Sequence, residues 1–142
     1  IKGRERNALN LIPIAMEVAA GIREKMQVFG DNYDTHDGTG VRDYIHVSDL
    51  AIAHMKALNY ISENDKDLLV NLATGEGHSV LDVINKSKEV SGKDIPFDIV
   101  GRRAGDPATV VAVSNRANKV LDWSTKYSDL DTLIRTAWDV YK

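Results

Sequence analysis

The stretch Asp37-Gly38-Thr39-Gly40-Val41-Arg42-Asp43-Tyr44-Ile45-His46-Val47-Ser48-Asp49 constrains this chain more than any other. Its glycines mark the end of a polar loop that begins near Asp31 and Asn32. Val41 to Val47 then reads as a strand. Period-two geometry puts Arg42, Tyr44 and His46 on one face and Asp43, Ile45 and Val47 on the other. Ser48 is the expected N-cap of the next helix, with Asp49 in its first turn, where the helix dipole favours an acid. Leu50, Ala53, Ala57, Leu58 and Ile61 recur behind it at helical spacing. Strand and helix in close succession point to a mixed α/β chain.

The flanking segments agree. Pro13 suits a first helical turn, where its missing N–H has no partner to lose, and the run to Ala20 closes at Gly21. Lys25 to Gly30 reads as a short strand and Leu68 to Ala73 as a buried one. Thr74-Gly75-Glu76-Gly77 turns the chain. Ser79 with Asp82 has the spacing of a capping box, opening a helix that ends near Gly92. Ile95 to Val100 is the next strand, with Pro96 near a sheet edge. Strand, helix and strand here predict a right-handed β-α-β crossover. Ser114 can cap a short helix to Leu121, and Ser128 with Asp131 resembles a second capping box. Leu130, Leu133, Ile134, Ala137, Trp138 and Tyr141 form an amphipathic stripe. The expected fold class is α/β, with small mixed sheets and short helices, in one domain over residues 1–142.

Composition narrows the function. At 142 residues, 43% hydrophobic and 27% charged, the chain has the make-up of an ordinary globular domain. A net charge of −3 argues against a nucleic-acid partner or an anionic membrane surface. No apolar run approaches the ~20 residues of a membrane span. Ile1-Lys2-Gly3-Arg4-Glu5-Arg6 is charged and has no signal-peptide core, and the chain opens without Met, which reads as a fragment. The absence of cysteine excludes disulfides and thiolate metal sites and permits a reducing compartment, so the cytoplasm is the expected location.

Chemistry-bearing residues are few. Arg102-Arg103-Ala104-Gly105-Asp106 sets two guanidiniums in a loop, where they can fork onto phosphate oxygens or simply form surface ion pairs. Arg42 can supply another fork, and two separated arginines converging on one site fit a diphosphate. Tyr44 offers a ring and a hydroxyl to a ligand, or serves as half-buried sheet surface. Asp43, on the other face, is expected to pair or cap within the protein. His36, His46, His54 and His78 form no His-x-x-x-His pair, so no metal site is expected. His54 reads as a packed core histidine. The acidic loop before Asp37 lacks EF-hand spacing. No nucleophile elbow is present, and Gly75 and Gly77 are too few for a dinucleotide loop.

In order, Asn10-Leu11-Ile12-Pro13, Val28-Phe29-Gly30, Asp37 to Val47, Asn71-Leu72, Gly77 to Asp82 and Arg102 to Asp106 resemble the UDP-glucose 4-epimerases, within the extended short-chain dehydrogenase/reductases. The resemblance covers nearly the whole chain, and it is to the carboxyl-terminal, substrate-binding domain. It implies that Asn10 and Leu11 approach the UDP-sugar near its phosphates. It implies further that Gln27 and Phe29 hold uracil, that Arg42 and Arg103 grip the diphosphate with Tyr44 nearby, that Val80 lines the nucleotide pocket, and that Asp106 accepts ribose hydroxyls.

The family interconverts UDP-glucose and UDP-galactose through a 4-keto intermediate with bound NAD. Its proton-transfer pair is a tyrosine with a lysine four positions on, in an amino-terminal NAD-binding domain. Tyr33, Tyr44, Tyr60 and Tyr127 are followed at that spacing by Asp37, Ser48, Asn64 and Asp131, and nothing lies four beyond Tyr141. The resemblance therefore implies that this piece grips and orients substrate, contributes no catalytic residue and is inactive alone. It also implies that the complete enzyme is a homodimer built through the other domain.

Ala73 stands where the family usually has Gly, and Val113 where it usually has Asp, shifting the next cap to Ser114. Val110 falls where some members carry a tyrosine beside the sugar, which leaves room for UDP-N-acetylhexosamines. Alternatives are a nucleotide-sugar dehydratase or decarboxylase of the same superfamily, or a stand-alone nucleotide-sugar-binding module. An uncovered apolar face on the helix from Ser48 to Ile61 is expected, where the NAD-binding domain would dock.

Overall fold

The computed structural model describes residue 3, residue 5 and residues 7–142; Ile1, Lys2, Arg4 and Arg6 of the charged opening lie outside the described residues. The elements are α1 (Leu11–Ala19), β1 (Met26–Phe29), β2 (Val41–Arg42), α2 (Val47–Asn64), β3 (His78–Ser79), α3 (Val80–Ser91), β4 (Phe97–Val100), β5 (Thr109–Val110), α4 (Asn115–Leu121) and α5 (Leu130–Tyr141). The mixed α/β expectation holds. β1 and β4 form a parallel pair from Met26↔Phe97 to Phe29↔Val100. β2 lies between β3, antiparallel, and β5, parallel.

Two apolar clusters hold these pieces. α1, α3 and α5 bury Ala15, Met16, Val83, Ile84 and Ile134 against Met26, Val28 and Ile95. The stripe on α5 packs here as its periodicity predicts, with Leu130, Ala137, Trp138 and Tyr141 at the margin. Ser79 and Asp82 form the expected capping box of α3, and Gly92, at φ +65°, ends it. The second cluster sets Ala53 of α2 against Ala117, Leu121 and Trp123.

Several expectations fail for identifiable reasons. The strand expected over Val41–Val47 pairs only at Val41 and Arg42, because α2 already begins at Val47. His46, not Ser48, caps that helix: its Nδ1 accepts the Ser48 N–H at 3.0 Å. Asp49 does more than complement the dipole. It is fully buried and accepts from the N–H groups of Lys126 and Tyr127 at 3.0 and 2.9 Å and from the Ser128 hydroxyl at 2.6 Å. Burial pushes this carboxyl up, but those three bonds and nearby His46 outweigh it and hold the group below its ordinary value. Ser128 is thereby taken from α5, which Asp129 caps instead through the Thr132 N–H.

Residues 68–73 form no strand, since among the described residues no strand runs beside them. Leu68, Val70 and Leu72 still pack on the second cluster, while Leu69 is 83% exposed. The β-α-β unit therefore fails too: β3 and β4 flank α3 but belong to different sheets. His54 is exposed, bonded to the Leu50 carbonyl, rather than packed in the core. The outward face of α2 carries Val47, Met55, Leu58 and Ile61, all exposed. Ser114 does precede α4, without a capping bond from its side chain.

Candidate functional site

A hollow of about 160 Å³ opens between α1, β1, β2 and the loop after β4. Of the site residues expected from sequence, Leu11, Gln27, Phe29, Arg42, Tyr44, Val80, Arg103 and Asp106 line it. Asn10 does not. It is the N-cap of α1, offering its carbonyl to the Ile14 N–H at 3.0 Å. Val110 lines a neighbouring hollow of about 200 Å³, which shares Arg42 with the first. Leu9, Ile14, Met26, Tyr33 and Gly40 complete the main wall and were not singled out from sequence.

Local structure explains the convergence. β1 delivers Gln27 and Phe29, and its parallel pairing with β4 brings the Gly101–Asp106 loop alongside. Gly105, at φ +79°, lets that loop turn, with the Asp106 N–H donating to the Arg103 carbonyl. β2 delivers Arg42, whose guanidinium meets the Asp106 carboxylate in a direct ion pair. The Val41 N–H donates to the Ala108 carbonyl at 2.8 Å, which holds β5 and Asp106 beside it. Val80 arrives as the first residue of capped α3, and Leu11 as the first residue of α1.

The charges are arranged unevenly. Arg42 and Asp106 satisfy each other. The Arg103 guanidinium lies 3.8 Å from the centre of the Phe29 ring, and among the described residues no carboxylate pairs with it. A second hollow, about 470 Å³, adjoins and shares Leu9, Gln27, Phe29 and Arg103. The second hollow alone has the size of an ordinary small-molecule site. Arg23 and Lys25 line the second hollow, but Glu17 and Asp98 hold them. Buried Glu17 also accepts the Ala8 N–H at 3.2 Å, so it fixes the segment carrying Leu9. Burial pushes the Tyr44 hydroxyl up to about 12, against a smaller opposing effect of Arg42. It is therefore a protonated hydrogen-bonding group at neutral pH, not a base. The Tyr33 hydroxyl is buried and has no hydrogen-bond partner among the described residues.

Asp43 behaves as expected of the opposite face: its carboxylate accepts from the N–H groups of Thr74 and Gly75 at 3.0 and 3.1 Å. Arg102 does not join Arg103 at the hollow; it turns to Asn32 and Tyr33. His36, Asp37 and Asp82 come within 4.8 Å of one another, which their separation in sequence concealed. The two carboxylates are already engaged by Thr39 and Ser79. Burial pushes both upward, and those hydrogen bonds with His36 bring both below their ordinary value. No described helix is long and apolar enough to cross a membrane.

The family described as GDP-mannose 4,6 dehydratase matches residues 2–137. The UDP-glucose 4-epimerase of Lacticaseibacillus casei is 45% identical over 130 residues, covering 92% of this chain and 39% of that protein. That of Corynebacterium glutamicum is 47% identical over 129 residues, again 39% of its length. The solved UDP-glucose 4-epimerase of Stenotrophomonas maltophila, with NAD and formylated UDP-arabinopyranose, superposes with a TM-score of 0.92 at 43% identity, covering 98% of this chain and 41% of that one. The UDP-Glc/GlcNAc 4-epimerase of Campylobacter jejuni gives 0.85 at 42% identity, with 97% and 42% covered. The chain thus spans about two fifths of the length of these relatives. It belongs to the GDP-mannose 4,6 dehydratase family and within it resembles the UDP-glucose 4-epimerases.

Proposed function

We propose that residues 1–142 form the UDP-sugar-binding domain of a UDP-glucose 4-epimerase. In this reading it holds UDP-glucose or UDP-galactose in the cytoplasm, while an NAD-binding domain acts on the sugar in a homodimeric enzyme. The observation that carries the reading is the meeting of Gln27, Phe29, Arg42, Arg103 and Asp106 around one hollow from three distant segments. Phe29 and Gln27 present a ring and a strand edge to the uracil. Arg103, already poised without a carboxylate, takes a phosphate. Arg42 exchanges Asp106 for the diphosphate, which frees the Asp106 carboxylate to accept ribose hydroxyls. Tyr44 adds a protonated hydroxyl, and Leu11 and Val80 close the apolar wall. Asn10, as helix cap at the rim, reaches the phosphates only through its exposed side chain.

When bound by the companion domain, NAD would supply the hydride chemistry at the sugar C4. These residues offer no glycine-rich turn to hold it, so its binding falls to the companion domain. What this chain contributes is positioning, because the diphosphate must stay anchored while the sugar turns between the two half-reactions. The outward face of α2, with Val47, Met55, Leu58 and Ile61, fits the docking of that domain. Val110, level with Arg42 in the β2–β5 register, leaves space in the neighbouring hollow. That favours acceptance of UDP-N-acetylhexosamines as well; the relative from Campylobacter jejuni is named as a UDP-Glc/GlcNAc 4-epimerase.

Calorimetric titration of the chain with UDP tests the reading. UDP should bind, dTDP more weakly, and Arg103→Ala should cost roughly 1.5–3 kcal/mol, the scale of a charged hydrogen bond. Equal affinity of the Arg103→Ala variant removes the diphosphate role, and a preference for dTDP points to a dehydratase.

A further inference from the structure

The adjacent arginines Arg102 and Arg103 are alike in sequence and opposite in placement. Arg103 faces the hollow over Phe29. Arg102, itself exposed, is held on one side by the segment that follows β1. Its Nε donates to Asn32 Oδ1 at 2.7 Å, and its Nη2 donates to the Asn32 carbonyl. Its guanidinium lies 4.0 Å from the centre of the Tyr33 ring. Its stem runs over Gly30, where an added Cβ would sit 2.6 Å from Arg102 Cγ and 2.8 Å from Tyr33 Cε2. Real Cβ atoms do not approach so closely, so glycine at position 30 is what lets the arginine lie flat. The φ of +89° there suits glycine for a second reason.

We propose that Arg102 is a positioning residue for nucleotide-diphosphate binding, acting through Arg103 without touching the ligand. This rests on the UDP-sugar reading above. Arg102 and Arg103 follow closely on β4, and their side chains leave the chain toward different partners, Asn32 and Tyr33 for the one and Phe29 for the other. Pinning Arg102 to Asn32 and Tyr33 fixes the backbone from which the next side chain, Arg103, reaches Phe29. A planar fork that stacks and donates at once is needed for this, which lysine cannot supply.

The test compares Arg102→Met, which keeps the stem over Gly30, with Asn32→Ala, the double variant and Arg103→Met. Each is titrated with UDP and with uridine, and its unfolding midpoint is recorded. Arg102→Met and Asn32→Ala should each weaken UDP binding roughly fivefold to tenfold, spare uridine, and show no further loss when combined, as partners in one contact do. Arg103→Met should lose at least as much. Full UDP affinity in Arg102→Met beside a loss in Arg103→Met overturns the positioning role and leaves the binding site standing. An equal loss on uridine with a lowered midpoint also overturns it, since that is general destabilisation. Full affinity in Arg103→Met refutes the diphosphate role of Arg103 on which the proposal rests.

Discussion

Replacing Asp49 with asparagine removes a charge that organises the second apolar cluster. The carboxylate takes the Lys126 N–H on Oδ1 and the Tyr127 N–H on Oδ2, with Ser128 on the latter. An amide has one acceptor oxygen. Whichever way it turns, one backbone N–H faces an NH₂ group in a fully buried site. Leaving a buried donor unsatisfied costs about 1–3 kcal/mol. Losing the charge weakens the remaining bonds, by about 1 kcal/mol more. The sum, roughly 2–4 kcal/mol, lowers the unfolding midpoint by roughly 6–12 °C for a domain of this size. The variant also changes the response to acid. The carboxyl is held below its ordinary value in the folded state. Its stabilisation is therefore complete above the unfolded value of about 3.9 and is lost as pH falls through the folded value. Asp37 and Asp82 act in the same direction, so acid still destabilises Asp49→Asn, along a shallower limb. Thermal unfolding followed by circular dichroism between pH 2 and pH 7 reads both effects. An unchanged midpoint at neutral pH, or an acid limb as steep as in the parent, refutes the reasoning.

Gly30→Ala should lower the midpoint and weaken UDP binding together, because the new methyl displaces both Arg102 and Tyr33; denaturant titration and calorimetry on one preparation check this, and a stable variant with full affinity contradicts it. The chain alone should self-associate through Val47, Met55, Leu58 and Ile61, and Met55→Lys with Leu58→Lys should restore a monomer in sedimentation. A clean monomer before substitution counts against that face as a docking surface. In a complete enzyme, Val110→Tyr should reduce turnover of UDP-N-acetylglucosamine and spare UDP-galactose; equal loss on both sinks the specificity role.

What could be read in the sequence was what local rules determine. The capping box at Ser79 and Asp82 lies within one turn, and the α5 stripe announces its own periodicity. The separated motifs carrying Gln27, Arg42, Val80 and Arg103 resemble one family's site, and the fold brings them to one hollow. Most of the failures are non-local. Leu68–Ala73 has strand composition, but a strand exists only where another lies alongside. Asp49 and Ser128 are far apart in the chain, so neither residue announced that Ser128 would leave its helix cap. His46 caps α2 with a ring nitrogen, a choice that ordinary capping preferences rank low. Residue chemistry alone left Arg102 and Arg103 alike; the resemblance singled out Arg103, and only the Gly30–Tyr33 turn shows what holds Arg102.

Mapping of backbone amide shifts while UDP is added tests the central claim most directly. The account predicts saturable shifts concentrated at Gln27 to Gly30, Arg42 to Tyr44, Val80 and Arg103 to Asp106. Shifts scattered over the surface, or none at millimolar UDP, would contradict it.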